Sequence, residues 1–199
     1  MHYEKSTQKQ AMILQKAREV FAAKGYAKVT MQDIVAACGI SRGGLYRYFN
    51  STSEIFLAVF VSEAREQKTA VETALWEKRP ADEILLELIY RIEKELCSRG
   101  SALAMATYEF FIENHEEQLI YRWQFDDLSE LFREIIVQGI EEGVFASVDA
   151  AAWGRHLAFW LNGLRLTLPV LEMPDQRIRE EIDMMLQPLL NTEEKLNIH

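Results

Sequence analysis

Thr30-Met-Gln-Asp-Ile34-Val-Ala-Ala-Cys38-Gly39-Ile-Ser41-Arg42-Gly-Gly-Leu45-Tyr-Arg47-Tyr-Phe49 reads as two short helices joined by a glycine-containing turn, the sequence form of a helix-turn-helix. Thr30 and Ser41 stand where a side-chain oxygen accepts an orphaned first-turn N–H, so each caps one helix. Ile34, Val35 and Ala37 give the first helix a short apolar face, and Gly39 supplies the turn. Leu45 and Phe49, one helical turn apart, form the buried side of the second. Arg42, Tyr46, Arg47 and Tyr48 are left to face outward, and such side chains reach phosphates and base edges. Arg42 is the base reader, because a guanidinium pairs bidentately with guanine. Arg47, Tyr48, Thr30 and Ser41 are assigned to the phosphate backbone, with Lys28 as a further phosphate partner and Tyr46 along the helix edge. For each tyrosine, packing is the alternative role. Gly43 and Gly44 each cost roughly 1 kcal/mol relative to alanine in a helix. Bare backbone there allows close approach to a phosphate or base edge; the alternative is a loose first turn with no role.

Charge is distributed unevenly. The chain carries −9, yet residues 1–50 hold eight Lys/Arg against three acids, a net +5, and residues 51–199 carry −14. A basic head on an acidic body is expected where one end meets phosphate and the other must not. A chance cluster of solvated lysines is the competing account. At 199 residues, 49% hydrophobic and 27% charged, the composition is that of an ordinary globular protein. The most apolar run, residues 157–171, is broken by Asn162, Arg165 and Pro169, and residues 1–10 are too polar for a secretory signal. The expectation is a soluble, cytoplasmic chain with no membrane partner. Cys38 and Cys97 lie far apart with no CxxC, which favours two reduced thiols over a redox pair. No phosphate-cradling glycine loop, HExxH, zinc-spaced Cys/His set or nucleophile elbow occurs, and His115 and His156 stand apart from the cysteines. No enzyme, cofactor or metal is expected. A helical protein-interaction module without DNA binding is the other rival, and the basic head argues against it.

Helical periodicity extends almost everywhere, and hairpin signals are absent. A first helix is expected from about Thr7, boxed by Gln10, to Gly25, burying Ile13, Leu14, Ala17, Val20 and Phe21. Ser51 with Glu54 opens a long helix to about Trp76; the Asn50-Ser51-Thr52 sequon is better explained by that cap. Further helices are expected over about 81–100, 103–114, 117–142, 149–168 and 176–190. The fold class is therefore all-α, with about nine helices. The domains are a helix-turn-helix head, 1–50, and a larger helical body, 51–199, joined through the shared helix at 51–76.

These residues together resemble the tetracycline-repressor (TetR) family of transcriptional regulators. The resemblance rests on Phe21…Gly25-Tyr26, Thr30-x-x-x-Ile34, Gly39-Ile40-Ser41, Leu45-Tyr46-x-Tyr48-Phe49 and Ser51-x-x-Glu54-Ile55. It extends more weakly to Gly139-x-x-x-Gly143-x-Phe145 and Leu161-Asn162-Gly163-Leu164. One position departs from the family pattern: Thr52 stands where a phosphate-contacting lysine is usual. A hydroxyl at a helix N-terminus can still serve a phosphate.

The resemblance implies a ligand-responsive homodimeric repressor that leaves a palindromic operator in double-stranded DNA when a small hydrophobic or amphipathic effector binds the body. By resemblance, the last two helices form the dimer interface, through Phe159, Gly163, Leu164, Leu168, Ile178, Ile182, Met185, Leu186 and Leu189. The alternative is that this stripe faces its own core. Tyr90, Met105, Tyr108, Glu109, Phe111, Trp123, Trp160 and Asn162 are the candidates for an effector cavity, each with plain core packing as its alternative. An inward Glu109 would favour a cationic effector.

Overall fold

The computed structural model describes residues 2–97 and 101–190. Among the described residues nine α-helices follow in order: α1 (His2–Lys24), α2 (Met31–Cys38), α3 (Arg42–Tyr46), α4 (Thr52–Trp76), α5 (Ala81–Cys97), α6 (Ser101–Glu113), α7 (Gln118–Glu142), α8 (Ala150–Leu171) and α9 (Asp175–Leu186). A 3-10 turn at His115–Glu117 leads into α7, and the sole β feature among the described residues is an isolated Phe145–Leu190 bridge. The fold is all-α with the helix-turn-helix at its amino-terminal end. Among the described residues no helix is long and apolar enough to cross a membrane.

Three boundaries differ from expectation. α1 begins at His2, not Thr7, because nothing before Gln10 breaks a helix; Gln10 therefore lies inside it and closes no capping box. α8 runs past Pro169 to Leu171 and stops at Glu172, which is left-handed (φ 47°) and donates its N–H to the Leu168 carbonyl at 3.1 Å. A proline forfeits one N–H bond, and so near the end of a long helix that loss does not stop it. α9 ends at Leu186, short of 190.

The chain divides into two compact units, one formed by Met1–Glu66 with Gly100–Gln118, the other by Gln67–Arg99 with Leu119–His199. In the first, α1 packs on α2 and α6. Ile13, Ala17, Phe21, Ile34, Leu45, Ile55, Phe56, Ala106 and Phe110 are buried there. Aromatic rings knit its elements together, with Phe21 against Phe56 at 4.8 Å, Tyr26 against Phe110 at 4.9 Å, and Phe56 against Phe110 at 4.9 Å. Burial of this kind contributes about 25 cal/mol for each Å² of apolar surface removed from water.

The second unit buries one stripe from each of its helices. α5 supplies Ile84, Leu85, Leu88, Ile89 and Ile92, α7 supplies Leu131, Phe132, Ile135 and Ile136, and α8 supplies Leu157 and Leu161. Ile178, Ile182 and Leu186 of α9, together with Leu168 and Leu189, belong to this core as well. That corrects the interface assignment. Their apolar surface is used within one protomer, so they cannot also be the contact face of a dimer. What α8 and α9 leave exposed is Phe159 (66%), Val170 (76%), Leu171 (61%) and Met184 (66%), with Leu164 and Met185 half-buried. Gly163 lies on the open side of α8, where an added methyl would meet nothing within 4 Å.

Candidate nucleic-acid interface

The helix-turn-helix is held in place by its caps. α1 stops at Gly25, whose φ of +77° is the left-handed region that glycine enters without strain. α2 starts on a capping box: Asp33 N–H donates to Thr30 Oγ1 (3.3 Å), and Thr30 N–H donates to Asp33 Oδ2 (2.9 Å). Gly39, at φ +62°, ends α2 in the left-handed conformation. Ser41 Oγ then accepts the Gly44 N–H at 3.1 Å, starting α3. Helical bonding continues beyond α3, with Arg47 N–H on the Gly43 carbonyl (3.2 Å) and Phe49 N–H on that of Leu45 (3.1 Å).

Leu45 and Phe49 are buried as the spacing required, at 0% and 3% exposure. The opposite side of the segment carries Ser41, Arg42, Gly43, Tyr46 and Arg47, all exposed. Arg42 Cζ lies 5.8 Å from the centre of the Tyr46 ring, within cation–π range, so Tyr46 steers the guanidinium. Lys28 and Thr30 are exposed on the approach to α2, while Gly44, Tyr48 and Thr52 are half-buried. Among the described residues, Lys28, Arg42 and Arg47 have no carboxylate partner. Arg18, Lys16 and Lys24 are paired, with Glu63, Glu19 and Asp33. Around α3 and the start of α2, the outward positive charge is thus left without acidic partners among the described residues.

Two of the assigned backbone contacts are modified by these bonds. The Thr30 hydroxyl donates to Asp33 Oδ2 at 2.8 Å, so its proton is already committed to the cap. Ser51 accepts the Glu54 N–H at 3.0 Å, while Glu54 reaches back to the Asn50 N–H at 2.7 Å. That network fixes the turn preceding Thr52, the first residue of α4.

Asp33 is held at about 2, well below the ordinary carboxylate range, by the Lys24 ammonium first and then by the Thr30 N–H and hydroxyl. A depressed carboxylate contributes stability that is fully present above its unfolded value near 3.8 and is lost as pH falls toward 2. Asp33→Asn will therefore lower the urea midpoint at pH 6, and its difference from wild type will shrink between pH 4 and pH 2. A difference unchanged across that range would show that the cap does not depend on the charge.

The effector candidates divide between the units. In the first, Phe111 is buried, its ring 4.9 Å from those of Phe60 and Phe110, and Met105 is half-buried. Tyr108 is exposed (47%). Glu109 is engaged structurally: Tyr26 N–H donates to its Oε2 at 3.1 Å, and the carboxylate sits against Gly25. It thus receives the backbone just past the end of α1, which corrects its reading as a cation receptor. In the second unit, Tyr90 (65%) and Trp123 (61%) face solvent, so neither lines an interior cavity of that unit. Trp160 packs half-buried on the core, and Asn162 accepts a hydrogen bond from the Tyr121 hydroxyl at 3.4 Å. Gln124 and Arg165 were not among the candidates, although each places a polar atom inside this unit. Arg165 could have been singled out as the one charge within the apolar run 157–171. Burial pushes both the Cys38 and Cys97 thiols up, so neither is an activated nucleophile.

The comparisons follow from this geometry. Residues 13–59, which span α2, α3 and part of each flanking helix, match the profile of bacterial regulatory proteins of the tetR family. The chain is 29% identical over 167 residues to YfiR of Bacillus subtilis, an uncharacterized HTH-type transcriptional regulator, aligning 80% of this chain with 78% of that one. Its fold matches a TetR-family transcriptional regulator from Agrobacterium tumefaciens with a TM-score of 0.77 at 19% identity, covering 93% of this chain and 99% of the other. It also matches the SmeT–triclosan complex with a TM-score of 0.72 at 19% identity, over 94% and 93% of the two chains. A capped helix-turn-helix with an outward arginine, set in an all-α chain, thus has its counterpart in known regulators, and residues 13–59 carry the helix-turn-helix segment of bacterial regulatory proteins of the tetR family.

Proposed function

We propose that this regulator is a homodimeric repressor that binds a palindromic operator and is released from it by a small hydrophobic or amphipathic molecule. The observation that carries the reading is the placement of Arg42, Arg47 and Lys28 outward, without acidic partners among the described residues, beside a core-facing Leu45 and Phe49. Arg42 reads a base edge in the major groove, with Tyr46 holding its guanidinium. Arg47, Lys28, Tyr48 and the hydroxyl of Ser41 position the helix on phosphates, and Gly43, with open space around it, admits close backbone approach. Thr52 and the N-terminus of α4 take the place of the family lysine.

Dimerisation through the exposed faces of α8 and α9 is supported by Phe159, Gly163, Val170, Leu171 and Met184. Two heads so joined must meet major-groove faces about 34–36 Å apart, or a multiple of that. An effector that favours a different spacing lowers operator affinity by its differential binding, commonly about 1–3 kcal/mol. SmeT is captured with triclosan, which supports a small-molecule effector for this fold.

Mobility-shift titration against DNA upstream of the protein's own gene, across a salt series, tests the reading. Affinity will fall steeply with salt and centre on a palindrome. Arg42→Ala will weaken binding by about 1–3 kcal/mol per half-site, roughly 5–150-fold, and relax sequence preference at one base pair. Arg47→Ala will instead weaken all sequences alike and flatten the salt slope. Salt-independent binding, or an Arg42→Ala variant that keeps the wild-type preference for operator over scrambled DNA, would overturn the assignment.

A further inference from the structure

Two polar atoms of the second unit are buried without a hydrogen-bond partner: the amide oxygen Oε1 of Gln124 on α7 and the guanidinium Nε of Arg165 on α8. Native chains seldom leave such atoms unmatched, and each one asks what is to pair with it. Their chemistry is opposite, since one accepts and the other donates.

The contacts between α7 and α8 fix where the two atoms lie. The Tyr121 hydroxyl meets Asn162 Oδ1 at 3.4 Å, the Phe125 and Phe159 rings are 4.5 Å apart, and Gly154 lies against the Ser129 carbonyl. Positions rise along α7 as they fall along α8, so the helices run antiparallel. Gln124 lies three residues beyond Tyr121, and Arg165 three residues beyond Asn162, in opposite directions. The orphan acceptor and donor therefore flank the Tyr121–Asn162 pair, about 9 Å apart along the axes at 1.5 Å per residue.

Charge narrows the choice of partner. Arg165 Nη2 is already paired with Glu95 Oε2 at 3.0 Å, and the two side chains are only 17% and 32% exposed. The guanidinium thus has its counter-charge, and Nε needs a neutral acceptor such as a carbonyl or ether oxygen. Gln124 Oε1 needs a hydroxyl or amide N–H. Asn162 Nδ2 gives one of its two protons to the Ala158 carbonyl at 2.8 Å.

We propose that the effector is an uncharged molecule two rings long, with a hydroxyl-type donor at one end for Gln124 Oε1 and a carbonyl-type acceptor at the other for Arg165 Nε. The proposal rests on the reading of this chain as a ligand-released regulator, and it places the effector's polar ends on the α7–α8 strip.

The probe is 7-hydroxycoumarin at about pH 6, where it is neutral and carries its hydroxyl and lactone carbonyl at opposite ends. Binding is read as quenching of tryptophan fluorescence, with 7-methoxycoumarin and coumarin-3-carboxylate as comparisons. Wild type will bind 7-hydroxycoumarin at least about tenfold tighter than 7-methoxycoumarin, and the carboxylate more weakly than either. Gln124→Met will reduce the hydroxyl preference to below about threefold, with Gln124→Leu as the second variant should the first fold poorly. Arg165→Lys, which can keep the pair with Glu95 while losing Nε, will weaken both neutral coumarins. Equal affinity for the hydroxy and methoxy forms, a preference that survives both Gln124 variants, or no saturable binding up to about 1 mM would overturn the proposal. The mobility shift separates the two readings: intact operator binding without coumarin discrimination sinks only the effector class, whereas lost operator binding sinks the regulator.

Discussion

Phe110→Ala will destabilise the first unit by about 3–5 kcal/mol and abolish operator binding at ordinary temperature, although Phe110 touches no DNA. The ring is fully buried. It meets Tyr26 edge-on at 4.9 Å, Phe56 at 4.9 Å and Phe111 at 4.9 Å. Those partners come from the turn after α1, from α4 and from α6 itself, so one truncation opens a void where three elements meet. Rigid neighbours close such a void only in part, and each aromatic pair also loses about 0.5–1.5 kcal/mol of ring–ring attraction. For a domain stable by about 5–15 kcal/mol, this is a large share of the total. Urea unfolding at 25 °C, followed by the operator mobility shift, measures both effects. A loss under about 1 kcal/mol would show that the cluster is not what holds Tyr26, and with it the approach to α2, in place.

The same cluster marks where the sequence ceased to be legible. The caps at Thr30 and Ser41 and the inward pair Leu45 and Phe49 are local features, visible from spacing, and the structure has them where they were read. That α6 packs on α1 is a long-range fact with no local signature. Glu109 drew attention as a charge among aromatic residues. Its use, receiving the Tyr26 N–H across 83 positions, follows from a backbone donor stranded after the left-handed Gly25. The stripe Ile178, Ile182, Leu186 was equally plain in the sequence. An apolar helix face has the same spacing whether it meets its own core or a second protomer, so only the packing of α5 on α9 could assign it. Pro169 misled for another reason: a proline rule describes a preference, and a proline two residues from the end of a long helix forfeits only one N–H bond.

Gly139→Ala drives a methyl into a buried ring of the second unit, and the remedy for it is predictable. A methyl at Gly139 would stand 2.1 Å from Phe145 Cδ2, 2.4 Å from Cε2 and 2.7 Å from Cγ. The ring cannot swing clear. It is 2% exposed, and its backbone is pinned by its own N–H on the Gly139 carbonyl (3.0 Å) and by Ala146 N–H on that of Leu189 (2.8 Å). Gly143, at φ +79°, makes the reversal that brings Phe145 back onto α7. Overpacking usually costs about 1–3 kcal/mol; with a pinned ring in place of a flexible chain, about 3 kcal/mol or more is expected. Phe145→Ala alone will cost about 3–5 kcal/mol through the cavity it leaves. In that background the clash is gone, and alanine is favoured over glycine in a helix by about 1 kcal/mol. Gly139→Ala will then be neutral or stabilising, giving a coupling at or above the usual 0.5–3 kcal/mol in a double-mutant cycle read by urea unfolding. Additive penalties would mean the strain is relieved elsewhere. Coupled ones would establish that Gly139, Gly143 and Phe145 persist together as a packing unit, a reason for that spacing independent of any effector.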